Sequence, residues 1–242
     1  MYKNITDYKI RYTDVDIKDN IKLSSLASFM EEAACASADE LGFGYDVIMP
    51  LDIGFILANW YIELYRPITL KDRLEVHTWP MKPSRTVFIR DYEFYSCGKK
   101  VAAATSRWCM MNLKNYSILP VAALPAAQNL PYNDFRAVNF NDWKIPDVGG
   151  ELSYEKKVTY SDCDHYNHAN NTKYADFCLD ALPLNVFENK YVSSAQIVYS
   201  KQCKYGENIQ FYKEFKDGFY YVNGKCGEES RVRFKVKLSD LT

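Results

Sequence analysis

The sequence predicts an α+β protein made twice from one plan, a helix followed by an antiparallel sheet. Three observations carry this. Residues 10–16, IRYTDVD, return as VTYSDCD at 158–164. Each copy enters a helical pattern, and each helical pattern is followed by a run of strand-like segments. A repeat of this kind governs the architecture before any single motif does.

The repeat aligns without a gap, pairing Tyr12 with Tyr160, Asp14 with Asp162, Asp16 with Asp164 and Phe29 with Phe177. In the first copy Leu26, Met30, Ala33, Ser37 and Leu41 share one helical face, with Ser24 as the expected N-cap and Gly42 as the stop. In the second, Tyr174, Phe177, Cys178 and Ala181 share a face, and Pro183 lies just beyond. Strand-like stretches at 55–65, 72–81, 85–96 and 100–113 follow the first helix, and stretches at 193–205, 208–215, 219–226 and 230–238 follow the second. Several alternate with period two, and Gly98, Gly206 and Asp217-Gly218 mark the turns between them. The stretch 114–150, with Pro120, Pro125, Pro131, Pro146 and paired Gly149-Gly150, has linker composition. The predicted units are therefore 1–128 and 151–242, joined by 129–150.

Composition narrows the function. Hydrophobic residues make up 48% of the 242 and charged residues 25%, as in ordinary globular proteins. Thirty basic residues against 31 acidic ones leave no excess for nucleic acid, so a charged partner has to be met by a local patch. No apolar run approaches the roughly 20 residues of a membrane helix, and the N-terminus has no signal-peptide core. The seven Cys are scattered without a C-x-x-C, which predicts reduced thiols and a cytoplasmic location. No cofactor is expected, since the glycine pairs lack the context of a nucleotide loop.

A short strand, a long helix and then an antiparallel sheet is the element order of the hotdog fold. Two tandem copies, a double hotdog, allow the sheets to pair edge to edge and hide strands that otherwise invite aggregation. The aromatic-rich stretches 58–80, 89–94 and 104–120, together with DHYNHANNTKY at 164–174, resemble the acyl-acyl carrier protein thioesterases of plants and bacteria. His168, Asn170, Asn171 and Tyr174 match the H-x-N-N-x-x-Y part of that family's signature. The resemblance implies hydrolysis of the thioester between a fatty acyl chain and the phosphopantetheine arm of acyl carrier protein. It also implies that the acyl chain lies in the first half, with its carbonyl against the second.

The family uses an Asp, an Asn, a His, and a Glu beside a Cys. By that resemblance Asp164 and His168 hold the first and third places. Tyr166 stands where the Asn is expected, and Gln202 replaces the Glu while Cys203 keeps the Cys. Thioester hydrolysis needs a water, a base to take its proton and donors facing the developing oxyanion. Asp164 is accordingly expected as the base or base-orienting carboxylate, with His168 sharing the proton transfer. Amides near Asn170 and Asn171 are the oxyanion candidates, and Gln202 offers hydrogen bonds but cannot take a proton. Against these stand plainer roles. Asp164 has a counterpart in Asp16, which suits a loop cap, and Asn170 and Asn171 suit helix caps. Trp60 is expected in core with an edge on the acyl tunnel.

A Cys203–His168 nucleophile is the covalent alternative, although a sulfur beside a core is more often inert. Cys163, His165 and His168 lack the spacing of zinc modules, so no metal is expected. Lys82, Arg85, Arg90, Lys99 and Lys100 form either a solvated face or a dock for acidic acyl carrier protein. Competing readings are an acyl-coenzyme A hydrolase, a hotdog dehydratase and a non-catalytic acyl-thioester binder. A homodimer of the fused pair is also open.

Overall fold

The computed structural model describes residues 2–241; the expected outer ends of the two halves, Met1 and Thr242, lie outside that range. The first half consists of β1 (Asn4–Lys9), α1 (Leu23–Glu40), α2 (Tyr45–Ile48), β2 (Ile53–Leu64), β3 (Arg73–Met81), β4 (Val87–Ser96), β5 (Lys99–Asn112) and β6 (Ile118–Leu119). The second consists of β7 (Glu151–Lys157), α3 (Lys173–Asp180), β8 (Lys190–Tyr199), β9 (Asn208–Lys216), β10 (Phe219–Cys226) and β11 (Glu229–Asp240). This is the tandem hotdog that the repeat predicts.

Among the described residues the strands form one 11-stranded sheet, ordered β1-β3-β4-β5-β2-β8-β11-β10-β9-β7, with β6 on β5. The halves join where β2 meets β8, antiparallel, from Asn59 opposite Val198 to Glu63 opposite Ser194. Each half thereby satisfies one edge of the other, which removes two rows of unpaired backbone groups. The main core runs through both halves without a break. It joins Leu26, Phe29, Met30 and Ala33 of α1 to Tyr174, Phe177 and Cys178 of α3, and to Ile197, Phe211 and Phe234 of the second sheet.

Two local expectations need correction. Ser24 is not the N-cap of α1. Lys22 holds that place, while Ser24 is buried in the first turn with its side chain near Asp176 of α3. The second helix is also short, only 8 residues. Pro183 fixes the extended backbone just past its end, so the apolar stripe is one face of two turns.

The same local device opens both copies. Asp14 Oδ2 accepts the Arg11 N–H at 2.8 Å, and Asp162 Oδ2 accepts the Thr159 N–H at 2.8 Å. The aspartate two places on then caps the following loop. Asp16 Oδ1 takes the N–H groups of Lys18 and Asn20 at 2.8 and 3.0 Å. The repeated Y-[TS]-D-x-D is thus a loop-building sequence, with each carboxylate collecting backbone donors.

The 129–150 connection lies along the outer face of the sheet. Arg136 Nε bonds buried Asp91 of β4 at 2.8 Å, and Phe140 stacks on Tyr61 of β2 with centroids 3.8 Å apart. Further along, Gln196 of β8 donates to the Asp142 carbonyl at 2.8 Å, and Asn223 of β10 donates to Asp147 at 2.6 Å. The linker therefore straps both halves. Among the described residues no helix is long and apolar enough to cross a membrane.

Candidate active site

The cleft of interest opens along α1 because one stripe of that helix is small. Glu31, Ala34, Cys35 and Ala38 follow the i, i+3, i+4, i+7 spacing and line its floor. Phe43, Ile48, Ile53, Phe55, Phe88 and Trp108 wall it with apolar surface. The cavity measures about 430 Å³, and across its mouth lie His165, Tyr166, His168 and Gln202 from the second half. A larger cavity of about 750 Å³ surrounds the first-copy loop at Asp16 and Asn20. No histidine lines it, because Asn20 stands where His168 stands in the second copy.

Asp164 holds the loop that presents this chemistry. Its Oδ1 accepts the Tyr166 N–H at 2.9 Å and the His168 N–H at 3.2 Å, and its own N–H donates to the His168 carbonyl at 2.8 Å. Asn167 turns the chain with φ of 62°, a left-handed conformation that Asn tolerates. Asp164 does not line the cleft, whereas His168 does. The expected pairing of carboxylate with imidazole is therefore a bond from carboxylate to the histidine's backbone. His168 Nδ1 is buried and has no hydrogen-bond partner.

Two carboxylates line the cleft, Asp39 and Glu31, and Glu31 is the one beside Asn171. Burial pushes its pKa up, the charges of Asp164 and Glu32 push the same way, and the Asn171 amide beside it works against them. Sequence reading missed Glu31. It aligns with Leu179 in the repeat, and on a helical wheel it reads as one half of an exposed Glu-Glu pair.

The remaining candidates divide. Tyr166 lines the mouth, with its ring 3.9 Å from that of His165 and its hydroxyl 3.8 Å from Met49 Sδ across the seam between halves. Gln202 is exposed and faces the cleft. Asn171 lies near Glu31, and its Oδ1 is buried without a partner. Asn170 is a cap, its Oδ1 bonding the N–H and hydroxyl of Thr172 at 2.9 and 2.7 Å. Its own N–H goes to the Asp162 carbonyl at 2.8 Å, which removes it as an oxyanion donor.

Two further expectations fall. Trp60 is 2% exposed and donates to Tyr199 Oη at 3.1 Å inside the shared core, so it does not touch the cleft. Cys203 is fully buried and off the cleft, and burial pushes its thiol up to about 12. A neutral, enclosed thiol is no nucleophile.

Cys163, His165 and His168 do not converge, since the Cys163 thiol turns to the Thr159 carbonyl at 3.5 Å while the His165 ring lies on Tyr166. Elsewhere Cys203, Glu207 and Cys226 bring ligand atoms within 4.8 Å of one another. Arg231 bonds that glutamate at 3.1 Å and bears on Cys226, which places a fixed cation where a metal would go.

The basic residues also divide. Lys82, Arg85 and Lys99 are exposed, Lys100 pairs with Glu93 at 3.1 Å, and Arg90 is buried in the cleft wall.

Known proteins resemble this chain over its length. The family model for the acyl-ACP thioesterase N-terminal domain matches residues 2–123, and that for the C-terminal domain matches residues 148–240. Oleoyl-acyl carrier protein thioesterase 2 of Arabidopsis thaliana is 23% identical, covering 81% of this chain and 58% of its own length. Acyl-[acyl-carrier-protein] hydrolase FATB3 of Cuphea viscosissima is 27% identical, covering 81% of this chain and 51% of its own. The chain thus spans about half the length of these relatives. Among solved structures, an acyl-ACP thioesterase from Bacteroides thetaiotaomicron superposes with a TM-score of 0.90 at 20% identity, covering 98% of both chains. The 12:0-ACP thioesterase of Umbellularia californica gives 0.84 at 20% identity, covering 98% of this chain and 97% of its own.

Proposed function

Because this chain belongs to the acyl-acyl carrier protein thioesterase family, we propose that it hydrolyses fatty acyl-acyl carrier protein to free fatty acid and carrier protein at the cleft between α1 and the 164–168 loop. The supporting observation is the cleft itself, where an apolar trough of acyl size ends at a carboxylate, an imidazole and a glutamine contributed by opposite halves.

In this reading the chain lies along Ala34, Cys35 and Ala38, with the thioester carbonyl under His168. Glu31, held above the ordinary glutamate range by burial, takes a proton from the attacking water. His168 hands a proton to the departing thiolate, and Asn171 fixes the Glu31 carboxylate. Tyr166 and Gln202 hold the water and carbonyl by hydrogen bonds. Asp164 is a positioning residue that sets the loop through its backbone bonds. The first half is then the acyl-binding unit and the second supplies the loop chemistry. Exposed Lys82, Arg85 and Lys99 are the cations available to an acidic carrier. All seven cysteines are free thiols, which supports a reducing, cytoplasmic setting.

The test is thiol release from matched acyl-carrier and acyl-coenzyme A substrates at two salt concentrations. Turnover of carrier-linked substrate that falls with salt, beside salt-independent coenzyme A turnover, agrees with docking. Preference for coenzyme A at every salt concentration contradicts the carrier assignment. Binding without any turnover contradicts hydrolysis.

A further inference from the structure

Among the described residues six charged side chains are buried, and five of them have an opposite charge at hand. Asp14 pairs with Arg11 at 3.0 Å, Asp91 with Arg136 at 2.8 Å, Glu93 with Lys3 at 2.9 Å, Asp162 with Lys156 at 2.8 Å and Arg231 with Glu207 at 3.1 Å. Arg90, 7% exposed, forms no ion pair among the described residues. Its Nη1 donates to Ser37 Oγ at 2.8 Å and to Thr78 Oγ1 at 3.3 Å, both neutral. Its charge neighbours are Tyr92, Tyr2 and Cys35. The route to a carboxylate is a relay, from Ser37 Oγ to Tyr2 Oη at 3.1 Å and on to Glu40 at 2.8 Å.

A guanidinium carries five N–H donors in a rigid fork, and burying it without an anion is costly. Both of its hydrogen bonds leave from Nη1, so among the described residues Nε and Nη2 are uncommitted to any acceptor. Arg90 also lines the cleft, beside Pro80, Phe88 and Ile89. Along α1, Glu31 marks the catalytic end through Asn171, and Ser37 marks the Arg90 end. The two marks lie six positions apart on the helix, a rise of about 9 Å, which an extended chain spans in roughly seven carbon–carbon bonds. An unfunctionalised hydrocarbon tail reaching that depth lays apolar surface on a desolvated cation and leaves the uncommitted donors unpaired.

We propose that Arg90 is a specificity residue for oxygen-bearing acyl chains: the cleft takes thioesters whose chain carries a hydroxyl or carboxylate about seven to eight carbons from the thioester carbon, and the free donors of Arg90 bind that oxygen. This rests on the cleft being the acyl site. The hydrolytic step is unchanged, with water adding to the carbonyl carbon and the thiol leaving with a proton.

The experiment compares octanoyl, 8-hydroxyoctanoyl and 7-carboxyheptanoyl thioesters on acyl carrier protein, using the full chain and its Arg90→Met and Arg90→Lys variants. The expected result is a kcat/KM for the oxygenated chains about tenfold or more above that for octanoyl, since a site with buried donors rejects the analogue that leaves them unpaired. Arg90→Met brings that ratio to one or below, and Arg90→Lys retains part of it. A ratio at or below one in the parent overturns the proposal, as does a ratio preserved in Arg90→Met. Should Arg90→Met fail to fold, the parent's ratio decides alone. If no ester is turned over, the thioesterase reading falls instead, and the same ratio measured as binding affinity by calorimetry decides the role of Arg90.

Discussion

A carboxylate on the floor of an apolar trough resists ionisation, and Glu31 is held that way by burial first and by the charges of Asp164 and Glu32 after it. As a base it works only when ionised. The kcat/KM profile is therefore expected to fall as pH drops through a value above the ordinary glutamate range of about 4.3. In Glu31→Gln that acid limb disappears and the rate falls by about 10²–10⁴. The sign for stability is opposite. A carboxyl whose folded pKa is raised weakens the fold once ionised, so Glu31→Gln melts higher than the parent at neutral pH, and its advantage shrinks as the parent protonates. Thermal melts across pH check this. Asp164 makes a different prediction, since Asn keeps an oxygen where Oδ1 accepts two backbone N–H groups. Asp164→Asn is expected to retain most activity, whereas Asp164→Ala loosens the 164–168 loop and lowers kcat by tenfold or more, a difference steady-state kinetics resolves. At this scale the sequence was partly legible. The histidine motif pointed to His168 and the 199–206 stretch to Gln202, and both line the cleft, but whether a side chain faces a trough or a core depends on partners far along the chain. Glu31, Arg90, Trp60 and Cys203 were unreadable for that reason.

The element that makes the cleft is α1, whose two stripes do different work. Leu26, Met30 and Ala33 pack into the shared core, while Ala34, Cys35 and Ala38 leave room beside it. Filling that room shortens the trough. Ala38→Phe is expected to shift preference toward shorter acyl chains, by about tenfold per pair of methylenes that no longer fit, as read from a chain-length panel. The seam between β2 and β8 carries a stability prediction. Trp60→Ala removes a fully packed indole and its bond to Tyr199, and is expected to cost about 3–5 kcal/mol in denaturant unfolding. The strands were legible because period-two alternation and turn glycines survive in a single sequence. The Ser24 cap was misread because the helix already starts at Leu23, and Ser24 is buried in its first turn near Asp176 of the other half. The second helix is short because its apolar stripe covers only Tyr174 to Ala181 before Pro183 stops it, where the element order of the fold suggested a long helix.

At the scale of the whole molecule, the repeat is a fused pair that shares one core and one sheet. Neither half has a complete apolar interior alone, so the chain is expected to unfold in a single calorimetric transition with matching van't Hoff enthalpy. The strap adds to this. Arg136→Ala leaves Asp91 buried without its cation and is expected to lower stability by about 3 kcal/mol while sparing chemistry at the cleft. In the proposed reading one cleft carries the reaction, since the 164–168 loop of the second copy has a histidine where the first copy has Asn20, and Glu31 of the first half supplies the carboxylate to meet it. The most direct measurement of that union is single-turnover thiol release from an acyl-carrier substrate by the parent, Glu31→Gln and His168→Ala. The account predicts release by the parent and a fall of 10²-fold or more in each variant, with substrate binding retained. Parental rates in both variants would contradict it.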